Sequence, residues 1–246
     1  DPDCGAIAHG SAERCSVCGN ESLDFPLFQP RGFIAYWRTR NYDGQRARGP
    51  ALPPPILAFE PLYDHSKACG PLQLSFKKDA IALVNDNDGK LFNFARASSD
   101  RVLVRDIPYR DKDVEDEVAK GESLEPGAIG AVFTTDVMSC VFREAPKIGN
   151  RGILDVRQPS IRPALASFGE FLKQAVAFEL DVSPDEFRLG RQELLLDGVR
   201  TEQLFLADAL ENGAGYSRMV ADPATLASWL MSHYARERQR WEDPQH

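Results

Sequence analysis

The sequence predicts an α+β fold with a cysteine-rich N-terminal knuckle, a β-rich body and a C-terminal layer of mixed helix and strand. Three observations predict it. Three of the five cysteines (Cys4, Cys15, Cys18) crowd into the first eighteen positions. β-branched and aromatic runs broken by turn residues occupy positions 72 to 156. From Ser160 onward the apolar period changes from two to that of a helix. Strands followed by mixed helices and strands are the pattern of α+β rather than α/β architecture. With 246 residues and 43% hydrophobic content, the chain has ample material for a core.

The knuckle is predicted over residues 1–30. Cys15-Ser-Val-Cys18-Gly19 places two thiolates at the spacing that closes on one tetrahedral ion, and the glycine lets the turn tighten so that backbone amides reach sulfur. Cys4, also followed by a glycine, offers a third sulfur. The fourth ligand is either His9 or a cysteine upstream of Asp1, because Cys4-Gly5 reads as the second half of a knuckle whose first half is missing. The set Cys4, His9, Cys15 and Cys18 points to a structural Zn2+ with every position filled and no room for a catalytic water. The plainer reading is a group of thiols in a turn. An odd number of cysteines clustered this way suits a reducing compartment, and a cytoplasmic location is expected.

Residues 31–70 read as an Arg/aromatic and Pro-rich connection. Five arginines (Arg31, Arg38, Arg40, Arg46, Arg48) stand against one acid, Asp43, in a chain of net charge -8. Interleaved with Phe33, Tyr36, Trp37 and Tyr42, they fit a surface that stacks on bases and contacts phosphates. They fit an amphipathic strand with a solvated face equally well. Phosphate binding draws on Lys and Arg, so in so acidic a chain any nucleic-acid contact is expected to be local.

Residues 71–246 form the predicted α+β body. Strands are expected at Leu72–Phe76, Ile81–Val84, Leu91–Phe94 and Val102–Val104, with Asn85-Asp-Asn-Asp-Gly89 as a hairpin turn. The charged stretch Asp111–Glu122 predicts a solvated loop or a short exposed helix. Strands resume at Ala128–Phe142, with Ile153–Val156 pairing beside it. Leu165, Phe168, Leu172, Ala175, Val176 and Leu180 share one face of a helix behind Pro163. Ser183-Pro-Asp-Glu186 fits a capping box, and Glu193–Leu196 and Gln203–Ala207 read as strands. Asp222 and Pro223 open a last helix whose buried stripe is Leu226, Trp229, Leu230, His233 and Tyr234.

Absent motifs narrow the function. There is no GxxxxGK[ST], HExxH or GxSxG, so no ATPase, zincin or serine-hydrolase site is expected. The loop Asn212-Gly-Ala-Gly-Tyr216 could cradle a phosphate, but its third glycine position holds Arg218, and a tight turn is the favoured reading. Asp86 and Asp88 do not fit a calcium loop. Cys69 and Cys140 are expected to be small buried hydrophobes. No run of 18 apolar residues occurs, so no membrane partner is expected. A chain opening on Asp1 without a leader-like segment is expected to be a fragment of a longer protein.

The order of these features resembles the zinc-associated C-terminal domain, long described as a domain of unknown function, of superfamily-two DNA helicases. The same domain occurs in the helicase and helicase-partner subunits of DISARM-type antiphage defence. The resemblance rests on Cys4 with Cys15-Ser-Val-Cys18, Phe28-Gln-Pro-Arg-Gly-Phe33, and Val84 to Phe92. It continues through Thr134-Thr-Asp136, the helix from Ala164 to Leu180, and Leu206-Ala-Asp208 leading to Gly213-Ala-Gly-Tyr216. It implies an accessory region that contacts DNA, with ATP and Mg2+ held by helicase lobes upstream. The family's further cysteine cluster after its last helix is missing here. The alternative is a non-catalytic scaffold joining a helicase to a nuclease or methyltransferase partner; a small enzyme using the 213–216 loop is a third reading.

Overall fold

The computed structural model describes residues 13–15, 17–21, 25–31, 56–57, 66–87, 89–98, 101–109, 111–147 and 150–242. The first elements are β1 (Leu27–Phe28), β2 (Ile56–Leu57), β3 (Lys67–Cys69), β4 (Leu72–Asn85), β5 (Phe94–Ser98) and β6 (Arg101–Val104). Helix α1 (Lys112–Lys120), β7 (Glu122–Ser123), β8 (Ala128–Phe142), β9 (Ala145–Lys147) and β10 (Asn150–Gly152) follow. The C-terminal part holds α2 (Ile161–Glu179), β11 (Phe187–Leu196), β12 (Val199–Asp208), α3 (Tyr216–Val220) and α4 (Pro223–Glu242). The fold is α+β.

The chain divides into two compact units, Asp1–Ser22 with Pro54–Ile81 and Phe133–His246, and Leu23–Pro53 with Ala82–Val132. Most of the strand order β11-β12-β8-β4-β2 lies in the first; β11, β12, β8 and β4 are long, β2 has two residues, and β3 runs alongside β4. Ala128–Phe142 forms one strand as expected. The segments Leu72–Phe76 and Ile81–Val84 instead join into a single 14-residue strand. The polar Lys77-Lys78-Asp79 between them does not break it, because buried Asp79 is paired with Lys77 at 3.3 Å and the lysines reach solvent.

The sheet's two faces are set by register. Leu204 lies opposite Cys140 and Leu206 opposite Met138, and these side chains share a core with Leu72, Leu74, Leu172, Val176 and Leu226. Phe205 and Ala207 point to the other face with Ile81 and Val137. Helix α2 covers the first face because its apolar side chains recur every three or four residues; Leu165, Leu172, Ala175 and Val176 are buried. Burying each leucine stabilises the fold by about 1.5–3 kcal/mol. Gly169 permits the close approach: a Cβ there would stand 3.0 Å from Leu189. Cys69 and Cys140 are buried in this core, as their isolation in the sequence suggested.

Four local readings change. Ile153–Val156 is not a strand; the Val156 amide donates to the Arg200 carbonyl at 2.9 Å, and Asp155 closes an Asx turn by accepting from the Arg157 amide. Ser183 caps only a 3-10 turn, accepting from the Asp185 amide at 3.2 Å, and the chain then enters β11, which begins six residues before the predicted strand. Helix α4 opens on Asp222 as expected, its carboxylate accepting from the Thr225 amide at 3.0 Å. Its inner side carries Leu226, Trp229, Leu230 and His233, with His233 packed 5.0 Å from the Phe171 ring, whereas Tyr234 is 53% exposed. No described helix is long and apolar enough to cross a membrane.

In the second unit β6, β5 and β7 form a small sheet, and β1 pairs in parallel with the start of β8, Leu27 opposite Ala128. The turn after β4 forms, with Asn87 and Gly89 at positive φ, but it is not a hairpin: β4 and β5 belong to different sheets. Asp111–Glu122 contains α1, capped by Asp111. Its Val114 and Val118, one helical turn apart, pack on Ala95 and Leu103, so two valines suffice to anchor an otherwise charged helix.

Candidate metal centre

Arg14 and Glu21 pair across a bridge that closes the short turn carrying Cys15 and Cys18. The Cys15 amide donates to the Asn20 carbonyl at 2.8 Å, and the Gly19 amide donates to the Cys15 carbonyl at 2.9 Å. Gly19 sits at φ +78°, a conformation that only glycine adopts without strain and that reverses the chain just after Cys18. The Val17 amide donates to Cys15 Sγ at 3.4 Å. Cys15 is buried, Cys18 is half-buried, and Val17 packs beside them.

Both cysteines of the predicted set that fall within the described residues therefore lie on one tight turn. Cys4 and His9 lie outside the described residues. Among those described, no third Cys, His, Asp or Glu joins a cluster that could hold a metal. The donor set fits half of a tetrahedral zinc site. Two sulfurs on one rigid turn, one already accepting an amide, are what zinc–thiolate chemistry requires of a knuckle.

Arg31 is exposed. Arg38, Arg40, Arg46 and Arg48 lie outside the described residues.

The glycine loop after β12 is occupied by the protein itself. Asp208, fully buried, accepts from the amides of Ala214 (2.7 Å) and Tyr216 (3.1 Å) through Oδ2. Through Oδ1 it accepts from the amide of Ser217 (2.8 Å) and from its hydroxyl (2.6 Å). These are the donors that a phosphate would need, and the carboxylate takes them in its place. A substituent on Gly213, at φ +78°, would stand 2.5 Å from Asp136 Oδ2. Thr135 completes the arrangement, its hydroxyl bridging the carbonyls of Asp208 (2.9 Å) and Leu210 (2.8 Å), while the Asn212 amide donates to the Thr134 carbonyl. Thr134–Asp136, Leu206–Asp208 and Gly213–Tyr216, scattered in sequence, thus form one hydrogen-bonded corner. The loop is a turn and not a nucleotide cradle.

One polar cluster gives little warning in the sequence. Glu193 and Glu202 face each other across β11 and β12 with side chains only 1% and 5% exposed. Charged residues inside apolar strands are the signal, but strand faces cannot be told from sequence when both are covered.

An α+β chain carrying a two-sulfur knuckle is what the fold and site define. No protein-family description matches the chain, and no curated protein matches it. Among solved structures, the crystal structure of the DUF1998 helicase MrfA bound to DNA is similar over 74% of this chain, at 12% identity and a TM-score of 0.42. The similar region is 20% of that helicase, so this chain corresponds to about a fifth of its length.

Proposed function

We propose that this chain is the C-terminal accessory region of an ATP-dependent DNA helicase or translocase, with ATP and Mg2+ bound by lobes outside these residues. A structural zinc ion held by Cys15 and Cys18 together with Cys4 and His9, or a cysteine beyond Asp1, fixes the knuckle. The observation that supports this reading is that Cys15 and Cys18 share one tight turn, with positive φ at Gly19 and an amide–sulfur bond to Cys15. The helicase setting, the DNA partner and the antiphage role come from the resemblance of the ordered sequence motifs, and the cytoplasmic location from the odd, clustered cysteines. Arg31, Arg38, Arg40, Arg46 and Arg48 supply phosphate contacts. When bound, zinc supplies a fixed cross-link and no reaction step. Cys15 and Cys18 hold it, and the Val17 amide orients one sulfur.

Two measurements test the reading. Elemental analysis of the purified chain should give about one zinc per chain, lost together with knuckle stability on chelation or in Cys15→Ser. A metal-free, fully folded chain would sink the metal assignment. Reversing the charge of Arg38 and Arg40 should weaken binding to a labelled oligonucleotide and flatten its salt dependence. Unchanged binding would remove the DNA role of that segment.

A further inference from the structure

We propose that Arg191, with Arg162 and Arg200, forms a phosphate-binding site at the N-terminal end of α2, and that its ligand is the backbone of a nucleic acid. The site deepens the DNA-contacting reading above and rests on it. Its base is the buried pair Glu193 and Glu202. Arg200 holds Glu193 Oε2 through Nη2 at 2.7 Å and Nε at 3.2 Å. Arg162, on the first turn of α2, pairs with Glu193 Oε1 and reaches Glu202 Oε1 at 3.3 Å. These two guanidiniums already neutralise the two carboxylates. Arg191 is a third cation, touching Glu202 Oε2 through one nitrogen at 3.6 Å while its side chain stays 40% exposed.

Two physical features make this surplus charge a site. A guanidinium carries five N–H donors in a planar fork, and among the described residues Arg191 makes one long contact, to Glu202, so the rest of its fork is offered to an oxyanion. Buried carboxylates also hold the neighbouring guanidiniums in fixed orientations, which lowers the entropy lost when an anion arrives. The end of α2 adds to the same field. Its first turn contains no acid and Ser160 makes no side-chain cap, so no side chain of that turn offsets the positive end of the helix dipole where Arg162 stands. Arg157 lies near this end, because the Val156 amide bonds to the Arg200 carbonyl, but it is closed on Asp155 and contributes no net charge. In a chain of net charge -8, a three-arginine cluster with two buried acids is a local cationic point suited to one phosphodiester.

The test uses the whole 246-residue chain and a fluorescein-labelled oligo-dT, read by anisotropy across a salt series. Arg162 and Arg200 brace buried acids and their loss would disturb folding, so the variants are Arg191→Gln and Arg191→Glu, each checked for an unchanged unfolding midpoint. Losing one phosphate contact should weaken binding by about three- to tenfold and lower the log–log salt slope by about 0.7. Arg191→Glu should weaken it further. Inorganic phosphate at matched ionic strength should displace the oligonucleotide no better than chloride; displacement that depends on Arg191 would assign the site to free phosphate and overturn the nucleic-acid ligand. Wild-type affinity and slope in both variants, with DNA binding intact, would overturn this site alone. No binding by the wild-type chain would overturn the DNA-contacting reading and this site with it.

Discussion

Replacing Asp208 with asparagine exchanges one carboxylate oxygen for nitrogen without changing the side chain's shape, and should still destabilise the first unit measurably. The carboxylate accepts four hydrogen bonds from Ala214, Tyr216 and Ser217, with no solvent access. Asparagine keeps one acceptor oxygen. If that oxygen serves Ala214 and Tyr216, the new NH2 group faces the Ser217 amide, donor against donor, and an orphaned buried donor costs about 1–3 kcal/mol. The two surviving bonds lose their charge assistance, which removes roughly another 1 kcal/mol each. Relief of the buried carboxylate's desolvation offsets part of this. The net loss is set at about 2–3 kcal/mol, a large share of the 5–15 kcal/mol that holds a typical domain. Urea unfolding followed by circular dichroism reads it: with a slope of about 2–3 kcal/mol/M the midpoint should fall by roughly 1 M. A midpoint shift below about a quarter of that would show that the corner does not depend on the charge of Asp208, and the account of the loop as a carboxylate-filled nest would be refuted.

Two further outcomes follow from ionisable groups. Burial pushes the Cys140 thiol up to about 12, so iodoacetamide at mildly alkaline pH should leave it unmodified in the native chain and label it only after unfolding, as peptide mass spectrometry would show; labelling at the rate of an open thiol would contradict its place in the core. The Thr225 amide and hydroxyl beside Asp222 hold its carboxyl below the usual value of 3.8. The folded group stays ionised to lower pH than the unfolded one, so its stabilisation of α4 is fully present above that value and fades as pH falls through the lowered one. Melting Asp222→Ala beside the wild type should show a gap at neutral pH that closes in acid, and a gap independent of pH would reject the cap's charge as its source.

The elements most legible in sequence were those with a single strong period or a self-contained turn. Helix α2 was readable because six apolar residues repeat on one face, and β8 because Val, Ile, Thr and Phe recur along its fifteen residues despite Gly130 and Asp136. The turn that carries Cys15 and Cys18 was readable because the bonds that close it, between Cys15, Gly19 and Asn20, lie within six residues. What failed was mostly non-local. Nothing near Asn85–Gly89 reveals that the flanking strands join different sheets. The valines of α1 were too few to register as a face, yet two sufficed once Ala95 and Leu103 lay beneath them. Asp208 and the Gly213–Ser217 loop sat in view, but which anion fills the loop depends on a strand end folding back beneath it.

The position of β12 has a consequence for how the chain is made and cut. One of the last strands to be synthesised, it inserts between β11 and β8. Until Val199–Asp208 has left the ribosome, β8 presents a long edge whose amides and carbonyls have no partner on that side. Such an edge recruits strands from other chains. A C-terminal truncation that stops before Val199 would therefore leave that edge of β8 unpaired and produce an aggregating sheet, not a smaller domain.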